Sequence, residues 1–379
     1  MNGKNVLGMI FANIHEETLE SLTELRTMGS VPFCARYRLI DFPLSNMVES
    51  SITNVGVVTN ANFNSLMDHV GTGKPWDLSR KTNGLHILPP YSSNSVTMWG
   101  NRIDAIYGNM GFLDHSTQEY VLMSDCYNLL NIDLSKVFDA HEKSEADITI
   151  VGVKAKKPAS FSNVLVFDKV ADDGRILEAS IDPDVETAFY STNVVLIKKY
   201  LLEELVTAAH SKNKISFQRN ILLESIKSKK VYSYDATDCF VGTIDSVQSY
   251  YDVSMSILDR ENKKKLFAKE RPIYTKERDD MPTLYGMEAD VKNSLVADGC
   301  VVKGTVENCI LFKGVKIKEG AVVKNSILMQ DTVIGENVKI NYVIADKDCN
   351  IKSDVELSGA ANYPVCISKG TKMSVAAFF

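Results

Sequence analysis

Beyond residue 284, aliphatic residues recur every four to six positions: Val291, Val296, Val302, Val306, Leu311, Ile317, Val322, Leu328, Val333, Val338 and Ile344. Small turn residues interrupt them at Gly299, Gly304, Gly314, Gly320 and Gly335. Short rungs that each turn one aliphatic side chain inward are the signature of a parallel β-helix built from hexapeptide repeats. Asn293-Ser294-Leu295 and Asn325-Ser326-Ile327 are near copies, which strengthens the repeat. The expectation is a left-handed β-helix over residues 284–379. Its open ends and flat faces suit oligomer contacts.

The first two-thirds follows another rhythm. Residues 6–11, 55–59, 120–123 and 148–153 read as buried strands, and 200–210 and 216–226 have helical spacing of apolar residues. Such alternation implies an α/β, doubly wound Rossmann-like domain over residues 1–258, with ligands at the carboxyl ends of its strands. A chain of 379 residues has room for both units. Between them, residues 259–283 gather Arg260, Lys263, Lys264, Lys265, Lys269, Arg271, Lys276 and Arg278. A solvated linker is the simpler reading, and an anion or partner contact is the alternative.

The net charge of −6 gives no electrostatic reason to expect nucleic-acid binding. Seven scattered cysteines, odd in number and without Cys-x-x-Cys, fit a reduced cytosol better than a disulfide framework or a zinc site. No charged-then-apolar leader and no apolar run near 18 residues is present, so a cytoplasmic protein off the membrane is expected.

Val31-Pro32-Phe33 and Arg36-Tyr37-Arg38-Leu39-Ile40-Asp41-Phe42-Pro43-Leu44-Ser45-Asn46 carry a specific signal. With Val241-Gly242-Thr243-Ile244-Asp245-Ser246 and Arg271-Pro272-Ile273-Tyr274-Thr275, they closely resemble the ADP-glucose pyrophosphorylase (glucose-1-phosphate adenylyltransferase) family. The resemblance covers nearly the whole chain. It implies a GT-A-like nucleotidyltransferase domain followed by the β-helix.

The family's phosphate chemistry is altered at several of these landmarks. Its Gly-Gly-x-Gly-Thr-Arg loop falls on Asn13, Ile14, His15, Glu16, Glu17 and Thr18. A glycine loop lets backbone N–H groups close around a triphosphate, and this one has no glycine and two carboxylates. Two like charges about 4 Å apart repel by roughly 4 kcal/mol at an effective dielectric near 20. The lysine expected before Pro-Ala-Val-Pro is Met28. Glu-Lys-Pro of the sugar-phosphate pocket becomes Ile181-Asp182-Pro183, and the aspartate of His-Asp-Phe-Gly becomes Ser216. Asn101-Arg102-Ile103-Asp104-Ala105 replaces Gly-Thr-Ala-Asp-Ala, so Arg102 crowds the nucleotide base.

Asp125, in Ser124-Asp125-Cys126, matches the aspartate that binds Mg²⁺ in relatives and stands as a vestigial catalytic residue and metal ligand. A loop aspartate capping the next turn is the plainer alternative. The second metal carboxylate is Phe240, which cannot coordinate a cation, and Asp238 lies two residues away. Arg26 and Ser191 match substrate-contacting positions, although Ser191 also reads as a plain strand hydroxyl. Arg36 and Arg38 fall where relatives receive anionic metabolite effectors. Pairing with Asp41 is the structural alternative for Arg38, and surface exposure for Arg36.

A chain that keeps its scaffold and loses its chemistry resembles the family's non-catalytic subunit. The resemblance implies a partner that is a catalytic homologue, in a heterotetramer, with any Mg²⁺ held through Asp125 or by that partner. An adenylyltransferase with a rebuilt site and a purely structural assembly subunit are the alternatives. A hexapeptide-repeat acyltransferase is disfavoured, because no histidine follows His210.

Overall fold

The computed structural model describes residues 2–13, 19, 21–90, 99–158 and 163–374. Most of the altered loop, residues 14–18, therefore lies outside the described residues.

The strand Val6–Phe11 is apolar at nearly every position and buried throughout, as a central parallel strand requires. It pairs in parallel with Asn54–Val58 on one side and Tyr120–Asp125 on the other, and Gly84–Leu88 extends the parallel part. Thr187–Lys198 joins antiparallel to Tyr120–Asp125 and to Ile148–Lys156, completing a mixed sheet of nine strands among the described residues. The helix Lys199–His210 buries Leu201, Leu202, Val206 and Ala209, one stripe at helical spacing. In register, Phe11 lies opposite Asp125, so the carboxyl ends of two central strands open side by side.

From Leu284 the chain winds into three parallel sheets, and the β-helix is confirmed. Successive coils pair Val302 with Ile317, Ile317 with Ile334 and Ile334 with Ile351, all buried inside the prism. The two near-copied tripeptides occupy one corner. Asn293 and Asn325 adopt φ of 42° and 44°, a left-handed conformation that asparagine tolerates better than most residues. Their amides form a ladder with Asn308 and Asn341, with steps of 2.8, 3.2 and 2.9 Å.

The two units share one hydrophobic core. Ile310, Phe312, Ile327, Met329 and Ile344 of the β-helix pack in the same cluster as Phe33, Leu39 and Phe42 of the first domain. The face carrying Ile310–Leu311, Ile327–Leu328 and Val343–Ala345 is thus covered from within the chain. Arg26 crosses the junction, donating twice to Asp346 at 2.8 Å per bond.

The basic stretch read as a solvated linker is more ordered than that. Arg260–Leu266 forms a helix capped by Asp259. The following residues then strap onto the first domain. Arg271 Nε donates to Asn131 at 2.9 Å, Tyr274 OH to Glu49 at 2.6 Å, and Lys276 Nζ to the Asp68 carbonyl at 2.5 Å. Its charge run hid this role, because the partners lie more than a hundred residues away.

Candidate functional site

Two sites follow from this arrangement, one at the carboxyl end of the sheet and one at the domain junction. At the first, Asp125 ends its strand and is 1% exposed. The helix Arg102–Gly108 begins beside it because the Asn101 side chain accepts the Asp104 N–H at 3.0 Å, an N-cap. That cap aims Arg102 inward, where its Nη2 donates to Asp125 Oδ1. The guanidinium is sandwiched by aromatic rings, 4.7 Å from the Phe11 centroid and 5.5 Å from that of Phe217. Phe217 is held there by the π-helical turn Gln218–Leu222 that follows it. Arg102 Nε and Nη1 have no hydrogen-bond partner among the described residues. Burial pushes the Asp125 carboxyl above its ordinary range, and Arg102 and Asn193 offset this only in part. Arg102, expected to crowd a nucleotide base, also pairs with Asp125, a contact that sequence spacing gives no means to see.

The rest of this end is similarly occupied. Asn13 accepts from Thr59 Oγ1 at 2.6 Å and Asn60 N at 2.8 Å, and donates to the Ala61 carbonyl at 3.0 Å. The first position of the former glycine loop thus ties two loops together. Asp182, where the resemblance leads one to expect a phosphate-binding lysine, accepts the Asn163 and Val164 N–H groups at 2.6 and 2.7 Å. Ser191 is 5% exposed and accepts the Asn193 N–H at 3.0 Å, closing a local turn. Phe240 is buried in the main core, and Asp238 is exposed.

These residues do not fit a divalent cation. Mg²⁺ needs hard oxygen ligands with nearly octahedral geometry. Asp125 already faces an arginine, the position expected for a second carboxylate holds the phenyl ring of Phe240, and no group of three acidic, histidine or cysteine side chains converges among the described residues.

Arg26, expected at the substrate, instead lies at the junction, with both terminal nitrogens on Asp346. There the second site opens, a cleft of about 200 Å³ lined by Arg36, Arg38, His69, Lys276, Arg278, Lys313 and Lys347. Its wall is the hairpin of Pro32–Phe33 and Tyr37–Arg38. Cys34 and Ala35 in its loop take φ of 45° and 65°, and left-handed conformations cost roughly 1–2 kcal/mol each without glycine. The hairpin is held by Tyr250 OH, which donates to the Pro32 carbonyl at 2.7 Å.

Arg36 is exposed with its guanidinium 5.6 Å from the Tyr37 ring. Arg38 differs from the pairing expected with Asp41. Its backbone N–H takes Asp41 Oδ2 at 2.9 Å, while its guanidinium donates to Ser65 O and Oγ at 2.6 and 2.9 Å. His69 occupies Asp41 Oδ1 at 2.5 Å, and burial holds its imidazole below the usual range despite that contact. Burial lowers Arg38 to about 10 and Lys347 to about 7, with Arg38 and Arg26 adding to the Lys347 shift. Lys276 and Arg278 were visible in the basic run. Lys347, in the turn that follows the strand Val343–Ala345, was not.

The sequence of the chain is similar to those of known proteins. Residues 16–260 match the nucleotidyl transferase family and residues 283–360 the GlmU-like, C-terminal hexapeptide family. The chain is 34% identical over 371 residues to the glycogen biosynthesis protein GlgD of Bacillus subtilis, covering 98% of this chain and 97% of the relative. It is 36% identical to GlgD of Geobacillus stearothermophilus over 85% of this chain and 84% of the relative. A glucose-1-phosphate adenylyltransferase of Clostridium perfringens is 33% identical over 88% of this chain and 87% of the relative.

Proposed function

The chain belongs to the ADP-glucose pyrophosphorylase (glucose-1-phosphate adenylyltransferase) family of nucleotidyl transferases, which includes GlgD, and on that premise we propose that it is a catalytically impaired, regulatory subunit acting in glycogen biosynthesis. The observation that carries this reading is the buried Arg102–Asp125 pair, in a domain whose second metal position is Phe240.

In the reaction implied by the family, ATP and glucose 1-phosphate yield ADP-glucose and pyrophosphate. Divalent metal there would neutralise charge on the reacting phosphates. Here an internal guanidinium takes the carboxylate that would hold the metal, and Asp182 stands in place of a phosphate-binding lysine. Each lost charged contact costs roughly 1.5–3 kcal/mol, and every 1.36 kcal/mol is tenfold in rate. Metal and phosphoryl chemistry then belong to a catalytic homologue, with which this chain forms a heterotetramer.

The junction cleft is the regulatory part of the proposal. It gathers seven basic side chains around a space of metabolite size, built from both domains, and takes an anionic effector through Arg36 and Arg38. An anion bound there links the hairpin to the β-helix. A subunit alters its partner only through contacts that differ between two states of the complex, and this junction offers such a coupling.

Pyrophosphate release by the isolated chain with Mg-ATP and glucose 1-phosphate is expected to lie at least ~10³-fold below that of an active relative. Comparable turnover, abolished by Asp125→Asn, would overturn the proposal and make the protein an enzyme with a rebuilt site.

A further inference from the structure

Lys347 differs from the other cations of the junction cleft. The carboxylate next to it in the chain, Asp346, is held by both terminal nitrogens of Arg26 and also accepts the Lys347 backbone N–H at 2.7 Å. Lys276 and Lys313 donate from Nζ to the carbonyls of Asp68 and Arg278. The Lys347 Nζ makes no hydrogen bond with any described residue, and its side chain lines the cleft.

We propose that Lys347 is an acylation site whose acyl donors are small acyl phosphates drawn into the cleft by its cationic walls. This rests on the reading of the cleft as an anion site. The cleft supplies both requirements of the reaction: cations to hold the phosphate, and an amine that no carboxylate of the described residues meets in a direct ion pair. Burial and the charges of Arg38 and Arg26 lower the pKa of that amine to about 7, so far more of it is neutral near pH 7 than of an ordinary lysine with a pKa of about 10.4.

In the step itself, the Nζ lone pair attacks the acyl carbon and forms the C–N bond. The C–O bond to phosphate breaks, and the phosphate leaves with that bond's electron pair. One amine proton passes to the departing phosphate or to water. The products are an amide on Lys347 and inorganic phosphate, with no redox change. The amide can no longer gain a proton, and its acyl group fills part of the cleft. Acylation therefore weakens anion binding and makes the subunit responsive to acyl-phosphate supply.

The test treats the full chain with millimolar acetyl phosphate at pH 7.5 and follows each lysine by peptide mass spectrometry. Lys347 is expected to react at least tenfold faster than the exposed Lys292, Lys352 and Lys372, and inorganic phosphate should slow Lys347 alone. Lys347→Arg should remove the fast adduct and leave the slow ones. In parallel, inorganic phosphate is expected to raise the unfolding temperature, and Arg38→Gln to reduce that rise. If phosphate stabilises the protein but Lys347 reacts no faster than surface lysines, the acylation proposal falls and the anion cleft stands. If neither effect appears, both fall. Fast acylation that phosphate leaves untouched would overturn steering by the cleft.

Discussion

Replacing Arg102 by threonine, the residue the family motif leads one to expect there, is expected to destabilise the first domain by about 3–5 kcal/mol. The size follows from burial. The two side chains are 5% and 0% exposed, so removing the guanidinium leaves a carboxylate that water does not reach. The loss also removes a cation from between Phe11 and Phe217, where such contacts contribute roughly 0.5–2 kcal/mol. Asp125→Asn alone leaves the arginine uncompensated and is expected to cost a similar amount. The double variant is expected to recover most of the loss, because neither charge remains. Denaturant unfolding of all four proteins reads this coupling directly. Additive losses in the double variant would mean that the two residues act separately and that Asp125 is free for another partner. The same experiment bears on function. Arg102→Thr empties the carboxylate but leaves Phe240 and Asp182 in place, so activity is not expected to return.

Asp346→Asn is the second large effect, again about 3–5 kcal/mol, and it falls on the junction between domains. Arg26 is then left buried with half of its fork unanswered. Arg26→Lys is expected to recover little, since an ammonium cannot reproduce two parallel bonds to one carboxylate. Replacing both by apolar residues of similar volume, Arg26→Met with Asp346→Leu, is expected to restore most of the stability. The shared core of Phe33, Phe42, Ile310, Phe312 and Ile327 keeps the domains docked throughout, so the measured change reports the ion pair. Thermal unfolding of the three variants checks this. An unchanged midpoint in Asp346→Asn would show the bridge to be energetically idle. Asp346→Asn also removes the nearest negative charge from Lys347, which would deepen its shift.

Local periodicity carried most of the fold into view. Aliphatic residues every four to six positions define coils whose neighbours are the next coil, so the pattern and the structure coincide in the β-helix. Buried apolar runs such as Val6–Phe11 did the same for the central strands. The altered motifs also pointed to where the chemistry is expected to differ, because Phe240 and Asp182 fall at positions to which the family resemblance assigns a metal ligand and a phosphate contact. What remained hidden depends on distant partners. Arg26 reads as a substrate contact until Asp346, 320 residues later, supplies its carboxylate. Arg38 and Asp41 are close enough in sequence to suggest an ion pair, yet Ser65 and His69 arrive from another helix and take their side chains. Lys347 sits in a turn between β-helix strands, where lysine is an ordinary outward residue. Its character comes from burial against Arg38 and Arg26.

The central claim is that this chain acts through a catalytic partner. Its most direct test is pyrophosphate release from Mg-ATP and glucose 1-phosphate in an equimolar mixture with the same organism's catalytic homologue, with each chain alone as control. The account predicts a silent chain that changes the partner's rate, apparent affinity or effector response by roughly 5-fold or more, the usual lower range of allosteric coupling. A partner unchanged in all three, or a chain that turns over alone at a comparable rate, would contradict it.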